Sequence, residues 1–386
     1  MTMADSSTEP DWAAIRSQFP FLETSAYFDI GRKAALPSAA KAAADAWFED
    51  VYGTGGANAF SMDGQEQTRQ VVSDTFGAPR DNIALIKNTS EGIGAIACGF
   101  PFEPGDNVII SEHEHENNTF QWLHARERGI DVRYAKPDAD GCVRPDAYVD
   151  LIDNRTRIIG VAWVAYGNGY RADMVSLSNL CRAHGIKLVV DAIQAIGVID
   201  QRVDALGADA VVSGGHKAQF SVTGAGFMYL TQEMIELVRP PIAAKYSFES
   251  IDRHVPDPVL RSDARRFEYG NPNFLGLAIQ RASADFVRRI GLANIEARVR
   301  ALTTTLIDAL EKQQFKVLTP RPWHERAGIV AFEVPGDAAK LEMKLREDGI
   351  RTAHKDGHMR CAVHFYNSYD DIDRLMAGLS RYAHHD

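Results

Sequence analysis

Two runs, Lys187-Leu188-Val189-Val190-Asp191 and Asp209-Ala210-Val211-Val212-Ser213, decide the reading, and Gly214-Gly215-His216-Lys217 follows the second at once. Each is a short, continuous, valine-rich stretch, the pattern of a strand covered on both faces. Each leads to a residue with chemistry, Asp191 and then Lys217, 26 positions apart (217 minus 191). The segment 175–184 before the first run closes with Gly185, as a crossover helix with a glycine C-cap does. Right-handed crossovers bring strand ends to one side of a sheet, where ligands bind.

Working outward, similar apolar runs at 82–87, 107–111, 157–163 and 226–230 predict further strands covered by helices. The expected architecture is α/β, a large doubly wound, mainly parallel sheet domain. Beyond residue 240 a polar, arginine-rich passage leads to a long helical pattern over 277–313. Runs at 315–318, 328–333, 338–347, 359–365 and 369–382 then predict a small α+β C-terminal domain. The expected boundaries are 1–25 for an N-terminal tail, 26–275 for the large domain and 276–386 for the small one, on which the N-terminal segment has room to pack.

The chain has 386 residues, more than one domain usually holds. Its 45% hydrophobic and 24% charged residues are those of a globular protein, which excludes a disordered chain. A net charge of −10 argues against a nucleic-acid or anionic-membrane partner, since either needs a basic face. No apolar stretch is long enough to cross a bilayer, and residues 1–10 lack the charged start and apolar core of a leader, so they read as a short disordered tail. Cys98, Cys142, Cys181 and Cys361 are scattered without CxxC spacing, which suggests neither a disulfide framework nor a zinc site. A reducing cytoplasm is the expected compartment.

An amine and a carboxylate at neighbouring strand ends suit pyridoxal 5′-phosphate. The lysine condenses with the cofactor aldehyde, and the aspartate keeps the pyridine nitrogen protonated so that the ring accepts electrons. Taken singly, the two read more simply as a solvated lysine and a capping aspartate; the pair with its glycine and histidine neighbours points to the cofactor. Asn88-Thr89-Ser90-Glu91-Gly92 follows a strand and opens a helix, which fits a phosphate at the positive helix end and equally an ordinary N-cap. Glu112-His113-Glu114-His115-Glu116 resembles a metal cluster, but in an extended chain its neighbours point to opposite faces, and no metal is expected. In 359–365, Arg360 shares a face with Ala362 and His364, away from Cys361. An arginine there either clamps a substrate carboxylate with two parallel hydrogen bonds or makes a surface salt bridge.

On these motifs the chain resembles the class V aminotransferase and cysteine desulfurase superfamily of pyridoxal-phosphate enzymes, fold type I, and among them the group II cysteine desulfurases. The resemblance runs from Tyr27-Phe28-Asp29 to the last helix. It implies that Lys217, next to His216, carries the Schiff base, that Asp191 and Gln194 hold the pyridine nitrogen and the phenolic oxygen, and that His115 stacks on the ring. It places the phosphate on Thr89 and Ser90, with Ser213 standing in for a serine replaced by Gly214. It makes Lys217, Asp191 and His115 catalytic, and Arg360, followed by Tyr366-Asn367, the substrate-carboxylate site. Arg266-Phe267-Glu268-Tyr269-Gly270-Asn271-Pro272-Asn273 resembles a segment inserted into the partner subunit's site. Asn271 takes the place of a threonine that touches phosphate there, and the implied state is a homodimer with shared active sites.

The sequence also departs from that pattern. Tyr166 stands where the family has an asparagine, so that either Asn168 supplies the amide from a displaced turn or Tyr166 acts as an acid. Arg32 and Asn58 fall in segments that line the substrate cavity in relatives, where they either read a second polar group or belong to a solvated glycine loop. The persulfide-forming cysteine is missing from Ile350-Arg351-Thr352-Ala353-His354-Lys355-Asp356-Gly357-His358. The resulting expectation is a β-eliminating carbon–sulfur lyase acting on a small amino acid through a Cα carbanion. The alternatives are an aminotransferase, an epimerase, or a non-catalytic cofactor-binding protein.

Overall fold

The two valine runs lie side by side as parallel strands with Asp191 level with Val212 in a computed structural model that describes residues 9–383. The strands are β1 (Ala26–Tyr27), β2 (Ile83–Ile86), β3 (Asn107–Ser111), β4 (Asp131–Ala135), β5 (Thr156–Ala162), β6 (Lys187–Asp191), β7 (Ala210–Gly214), β8 (Gly226–Leu230), β9 (Ile329–Phe332), β10 (Ile350–Arg351), β11 (Ala353–Lys355) and β12 (His358–Ala362). Seven form the large sheet in the order β2-β8-β7-β6-β5-β3-β4. β5 to β7 are buried along most of their length, and apolar clusters cover both faces of the sheet.

Four expectations need correction. β8 was grouped with the parallel strands but runs antiparallel to both β2 and β7. The connection 215–225 carries Lys217 and forms no crossover helix, so the chain returns beside β7 in the opposite direction. The helical pattern over 277–313 is two helices, Phe274–Ile290 and Leu292–Lys312, broken at Gly291, whose φ of +86° suits glycine. The first of them packs on helices Ser38–Thr54 and Met62–Phe76.

The third concerns the N-terminus, where residues 1–8 lie outside the described residues. Residues 12–25, expected as tail, form helix Trp12–Arg16, capped by Asp11, and a 3₁₀ turn at Pro20–Glu23. Phe19 and Leu22 are buried in the main core, and β1 pairs in parallel with β10. Their apolar side chains outweigh the polar composition around them.

The small sheet has the order β11-β12-β9, all antiparallel. The expected strand at 315–318 is reduced to a single bridge between Val317 and Phe332. No helix among the described residues is long and apolar enough to cross a membrane.

Candidate active site

Lys217 sits in the loop between β7 and β8, and the loop's geometry fixes it. Gly215 N–H donates to the Ala225 carbonyl at 2.7 Å, and a Cβ at Gly215 would stand 2.8 Å from that oxygen, so only glycine lets the two arms close. Phe220 N–H donates to the Lys217 carbonyl, completing a tight turn. The lysine is buried, and desolvation pushes its amine down to about 8; Asp191 opposes that shift and Arg360 reinforces it. Asp191 ends β6 fully enclosed, with its carboxylate accepting from Ile193 N–H at 3.0 Å. Burial pushes its carboxyl up, against the pull of that hydrogen bond and of Lys217.

These two side chains line a cavity of about 650 Å³, and most of the residues expected at a site line it with them. Thr89 opens helix Thr89–Gly99 and accepts from Gly214 N–H at 3.1 Å, while Asn88 caps that helix and Ser90 is its second residue. His115 caps helix Glu116–His124 and meets the Tyr166 ring at 4.9 Å between centroids. Burial and the Lys217 charge push the His115 imidazole down. His216 is pushed down to about 4 by burial, Lys217 and Lys33, so it is neutral at pH 7. Gln194 donates to the Gly31 carbonyl at 3.0 Å, and exposed Arg32 lines the same wall. Arg360 enters from β12 and donates to the Tyr166 carbonyl at 3.0 Å.

Four expected residues stay outside this cavity. Ser213 is fully buried, and its hydroxyl accepts from Gln219 at 2.7 Å. Asn168 spends its amide elsewhere, donating to the Gly141 carbonyl of a distant loop and accepting from Tyr170 N–H in its own turn. Asn58 bonds Asp50 through its amide, and Asn271 is exposed away from the cavity of its own chain.

The sequence reading missed a polar wall opposite the sheet. Lys355 on β11 reaches Glu116 at 3.2 Å and lies over the Tyr166 ring, and His354 pairs with Glu342 at 2.6 Å. All of these line the cavity. The signal was present in Asp356-Gly357, a dipeptide that favours two-residue hairpin turns. Both residues have positive φ, and the hairpin they close pairs Ala353 with Arg360. Cys361 points the other way, fully buried in the apolar cluster around the small sheet, and none of the four cysteines lines the cavity.

The sequence model of the family described as Aminotransferase class-V matches residues 26–384. The chain belongs to that family. Among curated relatives of this class-V protein is a probable cysteine desulfurase from Methanothermobacter thermautotrophicus, 28% identical over 96% of this chain and 97% of the relative. A second, from Pyrococcus abyssi, is 27% identical over 95% and 96%. Among solved structures, a cysteine desulfurase from Thermococcus onnurineus superposes with a TM-score of 0.89 at 24% identity, covering 98% of this chain and 99% of that one. A cystine C–S lyase in complex with its product cysteine persulfide superposes at 0.87 with 20% identity, covering 94% and 99%.

Class-V enzymes work with pyridoxal 5′-phosphate, and the residues of this class-V protein fit it. A buried amine stands near a fully enclosed carboxylate that a protonated pyridine nitrogen would neutralise, and the cavity they line also includes the N-terminus of helix Thr89–Gly99.

Proposed function

We propose that this enzyme is a β-eliminating carbon–sulfur lyase acting on an amino acid, with no persulfide step. The observation that carries the reading is the β11–β12 hairpin, which lines the cavity with Lys355 and His354 while its one thiol, Cys361, is turned away into the core. The cystine C–S lyase named above shares the fold and supports elimination of a sulfur leaving group.

Bound pyridoxal phosphate supplies an electron-accepting ring at the substrate's α-carbon. Asp191 would hold the protonated ring nitrogen, Gln194 the phenolic oxygen, Thr89 and Ser90 the phosphate, and His115 the ring face. Arg360 takes the substrate carboxylate, and Arg32 reads a second polar group at the mouth. Lys217 Nζ, with its basicity lowered into the neutral range, accepts the α-proton. The β-carbon–sulfur bond then breaks with its electron pair on sulfur, which leaves as a thiol. With one water consumed, a cysteine-type substrate yields thiol, pyruvate and ammonia.

Ile242, Ile251 and Val259 are exposed in the passage that precedes Asn271. We infer that this face meets a second copy in a homodimer and that Asn271 reaches the second copy's phosphate. The four free cysteines suit a reducing cytoplasm.

The test is a panel of L- and D-amino acids given to the purified holoenzyme, with products identified by mass spectrometry. Pyruvate together with a thiol is the expected result. Keto acid without thiol marks amino transfer, α-deuterium uptake with inversion marks epimerisation, and absence of both pyruvate and thiol sinks the lyase reading.

A further inference from the structure

Asp29 and Arg360 face each other inside the protein. Arg360 Nη2 lies 3.5 Å from Asp29 Oδ1, with both side chains nearly enclosed. That spacing brings the charges together but is too long for a good hydrogen bond. Asp29 Oδ1 and Arg360 Nε are both left without hydrogen-bond partners among the described residues. The backbone that carries Asp29 is held beside β12. Asp29 is bridged to Ala362, two residues past Arg360, and Ala362 N–H donates to the Phe28 carbonyl. Arg360 is tethered to the Tyr166 carbonyl, and a Cβ at Gly31 would already stand 3.6 Å from its guanidinium carbon.

A carboxylate docking on Arg360 therefore arrives beside one that is already there. Two carboxylates sharing one guanidinium in an enclosed site do not both stay ionised. We propose that Asp29 is a positioning residue that makes carboxylate docking on Arg360 proton-linked: Asp29 takes up a proton as the substrate carboxylate binds, then donates a hydrogen bond to it. This rests on Arg360 being the carboxylate site.

The groups around Asp29 are consistent with this role. Burial pushes its carboxyl up to about 6, Arg360 and Arg32 pull it down, and Glu342 pushes it up. Tyr27, Cys361 and Tyr366 lie within reach of its charge, and burial pushes all three up, so they stay neutral near pH 7. Lys217 also feels its charge, but in the holoenzyme that amine is engaged by the cofactor. The sign follows directly. Below about pH 6 Asp29 already carries its proton and binding is independent of pH; above it, each pH unit costs up to roughly tenfold in affinity.

The test uses propionate, a carboxylate with neither amine nor leaving group, so its outcome does not depend on elimination. Its inhibition constant is measured on the holoenzyme from about pH 5.5 to 8.5 by competition with the absorbance change that L-alanine produces. The expected result is weakening of up to roughly tenfold per unit above about pH 6, a flat profile in Asp29→Asn, and binding at least tenfold weaker in Arg360→Lys. Equal slopes in wild type and Asp29→Asn overturn the proposal, and Arg360-independent binding overturns it together with the clamp reading. Calorimetry of wild-type protein in two buffers of different ionisation heat should show about one proton taken up per propionate at pH 7.5. Should Asp29→Asn fail to fold, a wild-type profile with neither slope nor uptake overturns the proposal by itself.

Discussion

Burial and charge pull on Lys217 in opposite senses, and burial prevails: its amine falls to about 8 although Asp191 favours the charged form. A lysine so tuned is both a nucleophile toward an aldehyde and a base near pH 7. Lys217→Ala should therefore abolish the visible absorbance of the lysine-linked cofactor, and an unchanged spectrum would refute the assignment. Arg360→Lys keeps the charge but loses the planar fork, which is worth about 1.5–3 kcal/mol for a charge-assisted contact. Steady-state kinetics on the substrate found by the panel should show kcat/KM falling roughly ten- to hundredfold. Lys217, Asp191 and Arg360 were legible in the sequence because each joins a distinctive chemistry to a strand or its end. Asp29 was not, because its partner lies at the far end of the chain and the pairing exists only once the two ends meet.

Elements are joined to the sheet by one buried carboxylate that the sequence hid inside the segment 266–273. Glu268 accepts from Leu85 N–H in β2 and from Gln65 at 2.6 Å, and it pairs with fully buried Arg69 of helix Met62–Phe76. Arg69 in turn donates to the Ile83 carbonyl at 2.7 Å. Removing one partner leaves a buried charge uncompensated, so Arg69→Met should cost about 3–5 kcal/mol in urea unfolding, and adding Glu268→Leu should recover much of it. A single variant that unfolds at the wild-type midpoint with unchanged slope would show the pair to be structurally idle. β6 and β7 were legible from their valine runs alone. β4 escaped because, as an edge strand, it alternates charged and apolar residues in Asp131-Val132-Arg133. β11 escaped because its exposed polar residues have no apolar signature and its place is set by the turn that follows.

The whole molecule is closed by its N-terminal segment, which touches the main core, the small-sheet region and the Lys217 loop. Arg16 donates to the Tyr366 carbonyl at 2.6 Å and grips Asp371 with both terminal nitrogens, at 2.8 and 3.0 Å. Asn367 donates to the Tyr27 carbonyl, and Ala34 N–H donates to the His216 carbonyl beside Lys217. Residues 26–34 thus run from the β1–β10 pair to the Lys217 loop, carrying Asp29 to Arg360 on the way. Composition alone made the first 25 residues a tail; the packing of residues 12–25 makes that stretch part of the core. Burying a phenylalanine as fully as Phe19 is worth about 3–5 kcal/mol, and leaving Asp371 enclosed without Arg16 costs about as much again. Together these approach the entire margin of a typical domain. Deletion of residues 1–25 should therefore abolish cooperative folding and cofactor absorbance together, while Arg16→Ala alone should lower the urea midpoint and leave the spectrum of the folded protein intact. A truncated protein that binds cofactor and unfolds at the wild-type midpoint would return those residues to the status of a tail.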